Sequence, residues 1–278
     1  MARADETPWH ADADPVHRRA ARGRPMNSPA HRLLEAARTR IPIEPFTGLT
    51  VADAYAIQLA QVHARVGDGA RITGHKIGLT SAAMQRQLGV GQPDFGYLLD
   101  DMELTTNRVR ADAFLAPKAE PEIAFVLGAP LSGPGLSSRD VAAAVSHVLP
   151  AIEIIDSRIA DWRIGLTDTI ADNASSGAYL LGRRAIPLGG MDLASIGCVL
   201  RAGAEVVATG TGAAVLGDPL RAVAWLANVL AEYGAGLEAG HIVLSGSLTA
   251  AVELRPGTEI SAEFTRLGHI SLYVEEKN

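Results

Sequence analysis

From Pro117 onward the chain is cut by Gly and Pro into short apolar runs, and this punctuation restricts it to a strand-rich fold. PKAEPEIAFVLG, LPAIEIID, GAYLLG, GCVLRAG, AEVVATG, HIVLSGSL, AAVELRPG, EISAEF and HISLYVE are too short for ordinary helices and are rich in β-branched residues. Two helical patterns interrupt them. One spans about Ser138 to Val148; the other takes Asp218 as N-cap and Pro219 as first residue, and ends at Gly234. Many strands with few intervening helices predict an α+β protein with a largely antiparallel core over 111–278.

Residues 28–110 read as an N-terminal helical portion carrying loops. One helix runs from Ser28 to about Thr39, and a second starts at a Thr50–Asp53 capping box. Ile72 to Leu79 reads as a strand entering a helix capped by Thr80 or Ser81, which stops at Gly89. GVGQPDFGYLL then reads as a loop. Residues 1–27, rich in Ala, Arg, Asp and Pro and without apolar periodicity, read as a disordered extension, within which Met26 could be an alternative start.

Composition removes several classes. Lys and Arg total 25 against 31 for Asp and Glu, a net charge of −6, so the basic surplus of a nucleic-acid binder is missing. No run of about 18 uninterrupted apolar residues suggests a membrane span. A single cysteine, Cys198, excludes an intrachain disulfide and a thiolate metal cage, and its CVL context reads as core packing. The extension has no apolar signal segment, so a reducing, cytoplasmic setting is expected. Phosphate loops, dinucleotide fingerprints, H-E-x-x-H and G-x-S-x-G are absent.

Carboxylates in apolar strands carry the functional argument. Strand alternation sends Glu120, Glu122, Ala124 and Val126 to one face and Ile123, Phe125 and Leu127 to the other. Glu153 lies between two isoleucines, a costly place for a lone charge. Three carboxylates from two strands suit a hard divalent cation such as Mg²⁺. Spacing alone equally allows them to face solvent or pair with Lys118, Arg158 or Arg163.

Further clusters stand nearby in sequence. Lys76, within Gly74-His75-Lys76-Ile77-Gly78, is either an anion-binding lysine or a surface residue between turn glycines. His75 could touch the same site. Asp94 in Q-P-D-F-G is a turn former or a poised base. Asp172-Asn173-Ala174-Ser175 could orient a ligand or cap a helix. His147, His241 and His269 carry no assigned role.

As a set, GHKIGLTSAAMQRQLGVGQPDFGYLLDDM, PKAEPEIAFVLG, LPAIEIIDSRIADW, DTIADNASSGAYLLG and LGDPLRAVAWLANVLAEYG resemble the 2-keto-4-pentenoate hydratases. The related 4-oxalocrotonate decarboxylases share that resemblance, within the fumarylacetoacetate hydrolase superfamily, from about residue 28 to the C-terminus. It implies a mixed β-sandwich-like roll flanked by helices, a homo-oligomer, and room for a complex with a downstream aldolase. It also implies Mg²⁺ or Mn²⁺ on Glu120, Glu122 and Glu153, with Lys76, Asp94 and His75 in catalysis. Leu79, Phe95, Asn173, Ser175 and Ser247 would line the substrate, a 2-hydroxydienoate or 2-oxo acid. LSGSLT, with Ser245 and Ser247, departs from the T-G-A-L found in many hydratases. The implied reaction is hydration of 2-hydroxypenta-2,4-dienoate in aromatic-ring degradation, with decarboxylation of a 2-oxo-hexenedioate as the nearest rival. Acylpyruvate hydrolysis or a catalytically inactive assembly partner are further alternatives.

Overall fold

The computed structural model describes residues 27–276, so the expected extension lies outside the described residues except for Asn27. Local chemistry sets the helix ends. Ser28 accepts from the His31 amide at 3.2 Å and starts α1 (Pro29–Thr39). The reciprocal Thr50–Asp53 box starts α2 (Val51–Gly67). β1 (Ile72–Gly78) leads into α3 (Ala82–Leu88), which Ser81 caps and Gly89 ends with a φ of 65°. There follow β2 (Asp94–Leu99), β3 (Arg108–Val109), β4 (Lys118–Leu127), α4 (Ser138–Ala144), β5 (Val145–Ile155), α5 (Leu166–Ala171) and β6 (Ser176–Leu181). The chain closes with β7 (Gly197–Ala202), β8 (Glu205–Thr211), α6 (Pro219–Glu232), β9 (Ile242–Ser247), β10 (Val252–Glu253), β11 (Glu259–Phe264) and β12 (Gly268–Val274).

The strands form two sheets. A seven-stranded sheet runs β2-β1-β9-β4-β5-β6, with β10 beside β4, and a five-stranded sheet runs β3-β12-β11-β7-β8. Pairing is antiparallel except for β1 with β9 and β3 with β12. The protein is therefore α+β with mixed sheets, as the strand pattern predicts.

Three expectations change in detail. D-F-G-Y-L-L is not loop but β2, because its backbone pairs antiparallel to β1 from Asp94 to Leu99. The helix expected to reach Val148 stops at Ala144. From Val145 the chain is β5, where β-branched residues gain a full ladder against β4. Residues 28–110, expected to be helical, also supply β1 and β2 to the larger sheet and β3 to the smaller.

Alternation divides the large sheet into two faces. Ile77, Phe95, Ile123, Phe125, Ile152 and Ile154 pack into the main core with Val223, Leu226 and Leu230 of α6. Each such buried side chain contributes roughly 1.5–3 kcal/mol. The opposite face holds a smaller cluster of Leu98, Ala124, Leu149, Ala151, Tyr179 and Leu244. Beyond that cluster the same face turns polar. The stretch Gly212–Glu232 is long and apolar enough to cross a membrane by length and composition. Its Ala222, Val223, Leu226, Ala227 and Leu230 are buried in the core, which accounts for its composition.

Two details of β4 matter for the polar end. Pro121 falls where β4 changes neighbour, since β9 pairs from Glu122 onward and β10 pairs at Lys118 and Ala119. A residue without an N–H is tolerated at such a gap, and its carbonyl still accepts from the Leu248 amide at 3.0 Å. Opposite Ile123 the β9 register shifts, and Gly246 adopts a φ of 109°.

Candidate active site

The polar end is built on one rung of the large sheet. β4 and β5 place Glu120 directly opposite Glu153, and Glu122 follows on the same face of β4. Each of the three offers a carboxylate oxygen within 4.8 Å of the others. Glu122 and Glu153 are buried, and Glu120 is half-buried at the wall of a cavity of about 580 Å³.

Each acid is held by an identifiable donor. The bulged Gly246 amide donates to Glu122 Oε2 at 2.7 Å, and the Ser176 hydroxyl donates to Glu153 Oε1 at 3.0 Å. Lys76 enters from β1 with its Nζ 3.3 Å from Glu153 Oε2, an ion pair without hydrogen-bond alignment. That ammonium donates instead to the Ala174 carbonyl at 2.8 Å. Asp94, at the start of β2, accepts from the Thr169 hydroxyl at 3.0 Å through Oδ2.

The Ala174 carbonyl reaches Lys76 because Asn173, Ala174 and Ser175 all have φ near 50°, at 54°, 51° and 54°. Such consecutive left-handed residues need external restraint. Asn173 supplies one, accepting from the Tyr97 amide at 2.8 Å and donating to the Tyr97 carbonyl at 2.9 Å. The buried Arg158–Asp172 ion pair anchors the turn from behind.

Charge makes the site incomplete as protein alone. Glu120, Glu122, Glu153 and Asp94 crowd round the Lys76 ammonium, with Lys118 acting on Glu120 from the cavity wall. Desolvation pushes Glu120 up to about 7, opposed by Lys76, and raises Glu122 well above the usual carboxylate range, with Glu153 and Glu120 adding to the effect. Desolvation likewise raises Asp94 against the pull of Lys76 and Thr169. Lys76 is disfavoured as a cation by burial, yet Glu153, Glu120, Asp94 and Glu122 outweigh that and raise it.

Among the described residues, Glu122 Oε1, Glu153 Oε2 and Asp94 Oδ1 are buried without a hydrogen-bond partner. Uncompensated carboxylate oxygens are expensive, and clustered hard oxygens match the ligand preference of a divalent cation. The donor set therefore fits Glu120, Glu122 and Glu153 as holders of such an ion.

The sequence-predicted residues divide by sheet face. Lys76, Leu79, Asp94, Glu120, Ser175 and Ser247 line the cavity, and Glu122 and Glu153 lie buried beside Glu120. His75 does not join them. As the neighbour of Lys76 in a strand it points to the other face, with its ring centre 4.7 Å from that of Tyr97. Neither of its nitrogens has a partner among the described residues. Phe95, next to Asp94, is likewise turned away and stacks on Tyr55 at 4.6 Å. Asn173 is spent on the Tyr97 backbone and is not a lining residue.

Sequence reasoning missed several contributors. Thr169 holds Asp94, and Gly246 offers its amide to Glu122. Gly78 leaves room for Asp94, since a Cβ there would fall 2.2 Å from Asp94 Oδ1. A glycine inside a strand pattern was the available signal for the last two; Thr169 had none.

A mixed-sheet roll carrying three clustered glutamates and a buried lysine defines a class. The chain belongs to the fumarylacetoacetate hydrolase family, whose C-terminal domain matches residues 91–275. Within that family it is 44% identical over 246 residues to the 2-keto-4-pentenoate hydratase of Paraburkholderia xenovorans strain LB400, covering 87% of this chain and 91% of the relative. It is 44% identical over 224 residues to a 4-oxalocrotonate decarboxylase of Pseudomonas putida, covering 80% and 85%. The 4-oxalocrotonate decarboxylase from Pseudomonas putida G7, solved with magnesium and adipate, superposes with a TM-score of 0.86 at 39% identity, over 88% of this chain and 95% of that one.

Proposed function

We propose that this chain is a divalent-metal-dependent hydratase adding water to 2-hydroxypenta-2,4-dienoate, or a close analogue, to give a 4-hydroxy-2-oxo acid. The observation that carries the reading is the buried excess of acids over cations, with unpartnered oxygens, in a chain 44% identical to named hydratases. The ion is Mg²⁺ or Mn²⁺, held by Glu120, Glu122 and Glu153. When bound there it would supply Lewis acidity to the 2-oxo acid end of the substrate.

The protein's own groups then divide the work. The dienol gives up its 2-hydroxyl proton and gains one at C5, which leaves an α,β-unsaturated ketone. Lys76, fixed by Ala174 and Glu153, anchors negative charge beside those atoms and can pass a proton. Water adds at C4 as Asp94 takes its proton through the unpartnered Oδ1, and a proton returned to C3 of the resulting enolate completes the 4-hydroxy-2-oxo acid. Burial, by raising Asp94, moves it toward the proton affinity a general base needs near neutral pH. His75 takes no part, since it lies on the opposite face. Leu79, Ser175 and Ser247 shape the cavity around the substrate. A cytoplasmic homo-oligomer is the setting we propose.

The test is turnover of 2-hydroxypenta-2,4-dienoate by EDTA-treated protein, followed by ultraviolet absorbance, with and without Mg²⁺ or Mn²⁺. Metal-restored loss of the dienoate with formation of 4-hydroxy-2-oxopentanoate is the expected result. The equal identity to a 4-oxalocrotonate decarboxylase favours one rival, decarboxylation of a 2-oxo-hexenedioate. Release of CO₂ from that diacid, with no dienoate hydration, would replace the hydratase reading.

A further inference from the structure

The sheet rung outside the carboxylates carries a second cation. β4 and β5 pair Glu120 with Glu153, and the next pair outward on that face is Lys118 with Ile155. Both line the same cavity. By strand rise, Lys118 lies about 6.8 Å along β4 from Glu120.

Its Nζ sits 4.4 Å from the centre of the Trp162 ring. The indole is pinned in turn, because its Nε1 donates to the Ala116 carbonyl at 3.1 Å. Glu120 feels the charge of Lys118, but Lys118 makes no ion pair among the described residues. The cavity wall it shares includes Ile155, Ile164, Trp162 and Leu248, and Glu253, opposite it on β10, is paired with Arg255 at 3.4 Å. Lys76, the other cation of the cavity, is already committed to Ala174 and Glu153. An ammonium resting on an indole face at a cavity wall, with no hydrogen-bonded anion, is open to one supplied by a ligand.

We propose that Lys118, seated on Trp162, is a second anion subsite that takes the distal carboxylate of a six-carbon 2-hydroxydienedioate or 2-oxo-enedioate. The proposal rests on the reading that the glutamate end holds the 2-oxo acid. An extended six-carbon diacid separates its carboxyl carbons by roughly 6 Å at ordinary carbon–carbon spacing. That length matches the step from Glu120 to Lys118. A carboxylate leaving as CO₂ must release its bonding electrons into the chain, and an ammonium paired to it resists this. The subsite is therefore a recognition device, and the distal group is retained during hydration.

Calorimetric titration of the Mg²⁺-saturated full chain with 2-oxoadipate and with its 6-methyl ester tests this. The two share the 2-oxo acid end and differ in the distal charge. The expected result is about tenfold tighter binding of the diacid, with the ratio falling toward one in Lys118→Met. Lys118→Gln serves the same purpose should the first variant fold poorly. Equal affinities in the unaltered protein, or a ratio that survives both substitutions, would overturn the subsite. If neither compound binds while Mg²⁺ does, the reading of the glutamate end fails and the subsite falls with it.

Discussion

Replacing Gly78 with Ala should disable the site while leaving the fold in place. A Cβ at Gly78 would stand 2.2 Å from Asp94 Oδ1, 3.3 Å from its Cγ and 3.6 Å from Lys76 Nζ. Ordinary contact begins at 3.4 Å, so the Asp94 carboxylate must retreat by about 1 Å, a displacement able to cost roughly 10²-fold in rate. Oδ2 is tied to Thr169, and retreat strains that bond as well. Gly78 is not in the left-handed region, so alanine meets no backbone penalty there. Overpacking of this kind costs about 1–3 kcal/mol of stability. Expected, then, are a kcat for dienoate hydration lowered about a hundredfold, a modest fall in Tm, and Mg²⁺ affinity within severalfold of the unaltered protein. A kcat within threefold of the unaltered value, in a variant of normal Tm, would refute the idea that Asp94 must sit where the structure holds it.

Other outcomes follow from the same geometry. Glu122→Gln removes one of four clustered acids, so the metal-free protein should melt higher while the Tm gain on adding Mg²⁺ shrinks; calorimetric melting with and without EDTA measures both. Asp94→Asn should lower kcat by about 10²–10⁴-fold, the span of general acid–base catalysis, and Thr169→Val by less, in stopped-flow absorbance at saturating dienoate. Burial holds His75 neutral and pushes it down to about 3 in the folded state, from 6.5 when free. The unfolded chain therefore binds the extra proton, and stability should fall by up to about 1.4 kcal/mol per pH unit as pH drops below 6.5. Urea melts of His75→Phe across pH 4–7 should show a flatter profile, and an unchanged one would contradict the burial argument.

The glutamates were legible because strand alternation is a strong rule. Glu120 and Glu122 share a face with Ala124, and an acid flanked by isoleucines in β5 had to meet a partner. The same rule argues against His75 and Phe95, since neither can share a face with its neighbour, Lys76 or Asp94, within a strand. D-F-G-Y-L-L concealed this, because glycine and proline made a strand look like a loop. The Asn173 contact was beyond sequence, since it depends on a left-handed turn whose restraints come from Tyr97 and Arg158, far away in the chain. The end of α4 was hidden for another reason. Val145 and Val148 fit a helical apolar stripe locally, and only pairing with β4 makes them strand.

The distribution of rigid and strained parts explains how such a charged rung survives in the core. One face of the large sheet is continuous aliphatic and aromatic packing, and its burial energy fixes the strands without help from the polar end. The opposite face can then hold acids whose desolvation is only partly offset, because moving them would require breaking the sheet. The remaining freedom, that of side-chain position, is taken up by small backbone devices. The Gly246 bulge aims an amide at Glu122, Gly78 leaves space for Asp94, and the Asn173–Ser175 turn presents a carbonyl to Lys76. Each device constrains one group, and one oxygen each of Glu122, Glu153 and Asp94 still lacks a hydrogen bond. A fold selected for stability alone would satisfy those oxygens with further donors. Their convergence beside a single cavity means that the free valences are where a cation and a reacting water are to be received.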